Sequence, residues 1–261
     1  MDMLQLFANR SRDDHDFFHH RAMLGDEPIV VAGYRSMIDL PNTMSLLQLQ
    51  ARSARQDGAS DLLVALGATA DEPDQELLAS SLLQGKLIVY FERRSAYSVF
   101  LPQPKPLSRS IQPPTTENVL RGSLSAFTED LDTNVGMLKL HVHSDLLRVR
   151  SFPSGGRQSS RLLLIYKEDD VDPALLDALV RRLAEKSGPD VFHLQRLSER
   201  LGFGKWNFIT KFNTTELPQD AASALRKGKV ILFMERFPFA IVLPSGLWDM
   251  FDVESDRNFP Y

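Results

Sequence analysis

Glu117, Arg121, Gly122 and Asn134 fall within one stretch, ENVLRGSLSAFTEDLDTN. A carboxylate, a guanidinium and a carboxamide that close together can line a polar cleft, grip a small ligand or pass on a signal. The glycine beside Arg121 permits a tight turn. Arg150, at the end of the DLLRVR stretch, is counted with them as a candidate signalling residue. The same groups could instead form a buried polar network, because buried charges need partners. Both readings stay open at the level of sequence.

Other constellations lead less far. Gly202-Phe203-Gly204-Lys205 lacks the spacing of a phosphate-binding loop and follows a helical pattern, where such a loop must follow a strand. Ser154-Gly155-Gly156-Arg157 reads as a hairpin turn, although its amides could cradle an anion. Histidines 15, 19, 20, 141 and 143 form two small groups. His141 and His143 would share a face only in an extended segment, and periodicity places them at a helix end. A metal wants three or four converging ligands, so none is expected, nor is any cofactor. No nucleophile–base arrangement or catalytic carboxylate pair stands out, and the expectation is a protein that is not an enzyme.

The elements that must position these residues occur twice. LLQGKLIVYFERRSAYSVFLP, residues 82–102, matches LRKGKVILFMERFPFAIVLP, residues 225–244. Gly85-Lys86 aligns with Gly228-Lys229, Glu92-Arg93 with Glu235-Arg236, and Leu101-Pro102 with Leu243-Pro244. Upstream, DFFHHR from Asp16 matches DLLRVR from Asp145. Each leads through a polar loop to an apolar run ending at Tyr34 or Tyr166. Short β-branched and aromatic runs bounded by turn residues read as strands. Asp172 and Pro173 open a helix whose Leu175, Leu179 and Leu183 share a face, and Gly188 is expected to stop it. Phe127, Leu131, Val135, Leu138 and Val142 form the stripe of a further helix, with at most a shortened counterpart at Met3–Ala8.

These patterns predict an α/β protein of two lobes related by internal duplication, each a small mixed sheet flanked by helices. The first lobe covers 1–101. Residues 102–116, with five prolines in fifteen, form a semi-rigid linker. The second lobe, with its additional helix, covers 117–261. Hydrophobic residues make up 43% of the 261 and charged ones 25%, enough to give either lobe a core. A net charge of -4 gives no basic footprint for nucleic acid. The absence of cysteine excludes disulfides and fits a reducing compartment. The N-terminus lacks the form of a secretion signal, and no run approaches the ~20 apolar residues of a membrane span.

In order and spacing these segments resemble the A subunit of the bacterial spore nutrient-germinant receptors, the GerA family. The resemblance is carried by Glu117, Arg121, Gly122, Phe127, Glu129, Leu131 and Asn134, by LLLIYKEDDVDP, and by GKVILFMERFPFAIVLPSGLWDMF. Ser123 departs from the family's proline and His141 from its common arginine. The resemblance implies a soluble domain on the cytoplasmic face of the spore inner membrane, followed by membrane spans absent from this chain. It also implies work with B and C subunits in nutrient-triggered germination, and self-association is a further expectation. The rival reading is a free-standing two-lobed protein holding a small molecule in the cleft between lobes.

Overall fold

The computed structural model describes residues 3–56, 62–70, 74–106, 126–155, 160–185, 191, 194–202 and 213–243. Two compact units divide the chain: Met1–Leu107 with His143–Asp145, and Ser108–Val142 with Leu146–Tyr261.

The first unit runs α1 (Met3–Asp13), β1 (Phe17–Leu24), β2 (Glu27–Tyr34), α2 (Leu40–Gln56), α3 (Leu62–Ala65), α4 (Gln75–Leu83), β3 (Leu87–Phe91) and β4 (Ala96–Phe100). Its strands lie in the order β1-β2-β3-β4. Ile29, Val30, Val31 and Ala32 are all buried, so β2 is covered on both faces. That is what its unbroken apolar run requires. Asp74 caps α4, accepting from the amides of Glu76 and Leu77.

The second unit runs α5 (Leu131–Val142), β5 (Leu147–Pro153), β6 (Arg161–Lys167), α6 (Pro173–Ala184), α7 (Leu194–Arg200), β7 (Asn213–Thr215), α8 (Pro218–Arg226), β8 (Val230–Met234) and β9 (Ala240–Leu243). The strand order is β5-β6-β8-β9-β7. Side chains alternate across the sheet. Leu163, Ile165, Ile231 and Phe233 join α5 and α8 in one core. Leu162, Leu164, Leu232 and Met234 join α6 and α7 in another. The sheet is thus a middle layer between two pairs of helices. Ala221 and Ala222 are fully buried, and their small side chains let α8 lie close to the sheet and to α5.

The duplication is visible in the topology. Each unit places a helix before a hairpin, then helices, an edge pairing, a helix and a second hairpin. In the second unit the edge pairing is β7 against β9. In the first it is reduced to a single bridge between Thr69 and Tyr97. The α/β two-unit architecture agrees with expectation, but the mixed pairing does not. Every described ladder is antiparallel. The crossover β7–α8–β8 does join strands of the same direction, as a helical connection should. However, β9 inserts between them and turns one parallel contact into two antiparallel ones.

Three local expectations also change. α1 is eleven residues against twelve for α5, so the first unit has a full counterpart of the long helix. Phe127 lies outside α5: its amide bonds to Glu216 O at 2.9 Å and its ring meets Phe233 edge-on, centroids 4.9 Å apart. α6 ends at Ala184 with Glu185 already extended, several residues short of Gly188.

The repeated Gly-Lys pairs are helix terminators. Gly85 and Gly228 have φ of 75° and 76°. Their amides bond to Leu82 O and Leu225 O, while those of Lys86 and Lys229 reach back to Ser81 O and Ala224 O. This is the 6→1 and 5→2 pattern of a left-handed C-terminal cap. The repeated glutamates also share a place. The amides of Glu92 and Glu235 bond to Pro28 O and Arg161 O, each at 3.2 Å. Glu235 Oε2 also accepts the Arg161 amide at 2.9 Å. Pro28 has no N–H to give, and Glu92 instead accepts from Arg21 Nε at 3.0 Å. One ancestral turn has therefore kept its carboxylate and changed its donor.

Candidate functional site

Asn134 is fully buried in the first turn of α5. Its carboxamide pairs with one residue twice: Nδ2 donates to Thr128 O at 2.7 Å, and Oδ1 accepts from the Thr128 amide at 2.7 Å. The Thr128 hydroxyl adds a third contact to Oδ1 at 3.2 Å. Asp130 Oδ1 accepts from the Thr133 amide at 2.8 Å and from its hydroxyl at 2.7 Å. That satisfies donors which a helix start leaves open. Both side chains are thus spent on holding the entry to α5. Asn134→Leu is expected to lose about 2 kcal/mol, since the half-buried Thr128 groups lose their partner. A lower urea midpoint at unchanged slope would show it.

Arg150 stands on β5 with its guanidinium 5.6 Å from the Tyr166 ring centroid. Burial pushes the Tyr166 phenol above its ordinary value, and the adjacent Arg150 charge opposes that rise. Arg148, two residues back on the same strand face, pairs with Glu168 at 2.7 Å. Asn134 and Arg150 therefore engage separate sets of partners. Glu117, Arg121 and Gly122 lie outside the described residues.

At the end of β6, Lys167 bonds to Asp169 and Asp170 at 2.8 and 2.9 Å. His143 follows α5 at a φ of 49°. Among the described residues no group of three His, Cys, Asp or Glu side chains could hold a metal ion. Gly202 closes α7, its amide bonding to Glu199 O at 3.1 Å, while Phe203 to Lys205 lie outside the described residues. Ser154 Oγ meets Ser160 Oγ at 2.6 Å across the β5–β6 connection.

One buried polar residue that sequence reasoning missed is Arg200. It is 6% exposed and its guanidinium donates to four carbonyls: Pro153, Ser154, Leu183 and Glu185. The available signal was position. Arg200 falls three residues after Leu197 and beside Leu201, on the stripe of α7 that faces the core. Its bonds to Leu183 O and Glu185 O occupy the end of α6, where helix carbonyls lack intrahelical donors, and account for the early stop.

The family model for the Bacillus/Clostridium GerA spore germination protein matches residues 7–261. Spore germination protein GerQA of Bacillus cereus is 22% identical over the whole chain and 52% of its own length. Spore germination protein A1 of Bacillus subtilis is 24% identical over 94% of this chain and 52% of its own. The chain thus spans about half the length of these curated relatives. In fold, it is similar to the N-terminal domain of the A subunit of the Bacillus megaterium spore germinant receptor GerK3. The TM-score is 0.61 over 94% of both chains, at 17% identity. Family match and fold agree over nearly every residue, and the chain belongs to the GerA family of spore germination proteins.

Proposed function

We propose that this chain is the N-terminal region of a germinant-receptor A subunit, which couples nutrient detection to a membrane part of the same receptor. The observation that carries the reading is the GerA family match over residues 7–261, joined to the fold shared with a receptor A subunit's N-terminal domain. B and C subunits are the proposed partners, and the cytoplasmic face of the spore inner membrane is the proposed location. Among the described residues no helix is long and apolar enough to cross a membrane. The proposed anchor is a transmembrane region in the half of the relatives' length that this chain does not match.

We read the region as non-catalytic. In support, the buried polar side chains described above, Asn134 and Arg200, bond to backbone and fix helix ends. Reading the gene beyond Tyr261 tests the proposal first. Several runs of about 20 apolar codons are expected there, and a stop codon directly after Tyr261 would overturn the receptor reading. Co-expression then tests the partners. The full-length product should co-purify with B and C subunits encoded beside it, and recovery of each alone would sink that assignment.

A further inference from the structure

Thr43 is a fully buried threonine in the first turn of α2, a face that otherwise buries Leu47 and Ala51. α6 occupies the corresponding place in the second unit. There Leu176, four residues after Asp172 as Thr43 is four after Asp39, carries no hydroxyl. The Thr43 Oγ1 donates to Asp39 O at 2.6 Å and accepts from the Gln103 amide at 3.1 Å. Asp39, in turn, donates its amide to Gln103 O at 3.0 Å, and the Lys105 amide bonds to Met37 O at 2.9 Å. Ile38 and Pro104 form an antiparallel bridge between these two stretches. Residues 103–105 are therefore a short strap laid along Met37–Asp39, where the chain leaves the first unit and enters its proline-rich segment.

We propose that Thr43 is a latch coupling the N-terminus of α2 to the chain that leaves the first unit. Its one hydroxyl joins the two sides. The strap holds while Asp39, Thr43 and Gln103 keep their mutual bonds, and it releases as a unit when the first turn of α2 is displaced. Pro102 and Pro104 lack amide donors, so the Gln103 and Lys105 amides are the donors that the backbone of 102–105 offers. Release would free residues 103–105 from Met37–Asp39 without unfolding the sheet.

Amide hydrogen exchange on the whole 261-residue chain tests this. Thr43→Val preserves shape and removes the hydroxyl. The amides of Asp39, Gln103 and Lys105 are expected to exchange about tenfold faster or more, with the β2–β3 ladder unchanged and Thr43→Ser close to the original. Unchanged exchange at the three amides would overturn the latch. So would equal acceleration of the ladder, or a serine variant that behaves as valine does. Should Thr43→Val not fold, the unsubstituted chain in dilute denaturant decides the matter. A common opening of Asp39, Gln103 and Lys105 ahead of the ladder supports the latch, and three unrelated openings or one global opening refute it.

Discussion

Gly228→Ala should cost the protein about 3–5 kcal/mol, while the same change at the duplicate position, Gly85→Ala, should cost about 1–2 kcal/mol. Both glycines hold the left-handed conformation, with φ of 76° and 75°. The backbone strain of a methyl group is therefore common to the two. What differs is the surroundings. A Cβ on Gly228 would stand 2.5 Å from the carbonyl oxygen of Asp170, a backbone atom in the turn after β6. That turn is itself held, since the Asp170 amide bonds to Lys167 O and its carboxylate to Lys167 Nζ. A Cβ on Gly85 would stand 3.2 Å from the terminal methyl of Met37, which can turn aside. Urea titrations of the two variants against the parent chain measure the contrast, provided the slopes agree. Equal losses would mean that the turn after β6 yields as easily as a methionine side chain.

The glycine pair shows what could be read directly from the chain. A repeated Gly-Lys after a helical pattern and before an apolar run specifies a left-handed helix end followed by a strand, and both ends form as local chemistry dictates. Asp172-Pro173 at the start of α6 was equally legible, with Asp172 accepting from the Ala174 amide at 2.8 Å. Strand partners were not. Whether β7 meets β8 or β9 is a matter of strand order in the whole sheet, and no residue of β7 announces it. The N-terminal helix is harder to read for a different reason. α1 buries only Met3 and Phe7 fully, so its stripe is sparse beside that of α5. Of the candidate signalling residues, Asn134 shows why a polar side chain in a suggestive motif is ambiguous. One carboxamide can grip a ligand or, as here, the backbone of Thr128, and sequence spacing is the same for both.

The ends of α5, α6 and α7 share one device that the sequence conceals, because it works between elements. Arg226 of α8 donates to His141 O in the last turn of α5 at 3.3 Å. Arg182 of α6 donates to Leu201 O at the end of α7. Arg200 of α7 returns the contact to the end of α6. Each arginine brings positive charge to a helix C-terminus, where the backbone carbonyls and the dipole favour it. α6 and α7 are thus capped reciprocally, and together they cover the face of the sheet that carries Leu164, Leu232 and Ile241.

Arg200→Met is therefore expected to destabilise the protein by about 4 kcal/mol, against a change within about 0.5 kcal/mol for Arg226→Met. The methionine keeps the apolar stem and approximate length but removes every donor. At Arg200 that takes the guanidinium donors from four carbonyls in a site 6% exposed. Of these, Ser154 O alone is also bonded to an amide among the bonds described, that of Val191 at 2.8 Å. The Nη1 bonds are 3.2 Å to Pro153 O at the end of β5 and 3.0 Å to Ser154 O in the loop after it. The Nη2 bonds, of 2.7 and 3.2 Å, reach the end of α6. Arg226 gives up one longer bond at the surface, where water can replace it. Arg200→Lys should fall between, at about 2 kcal/mol, because a single ammonium cannot span the two pairs of carbonyls that the planar fork bridges. The measurement is again the denaturant midpoint, joined to hydrogen exchange in α6 and α7. Loss of protection in both helices at once is the outcome that reciprocal capping requires. If α7 alone loosened, Arg200 would be holding only its own helix in place, and the early end of α6 would need another cause.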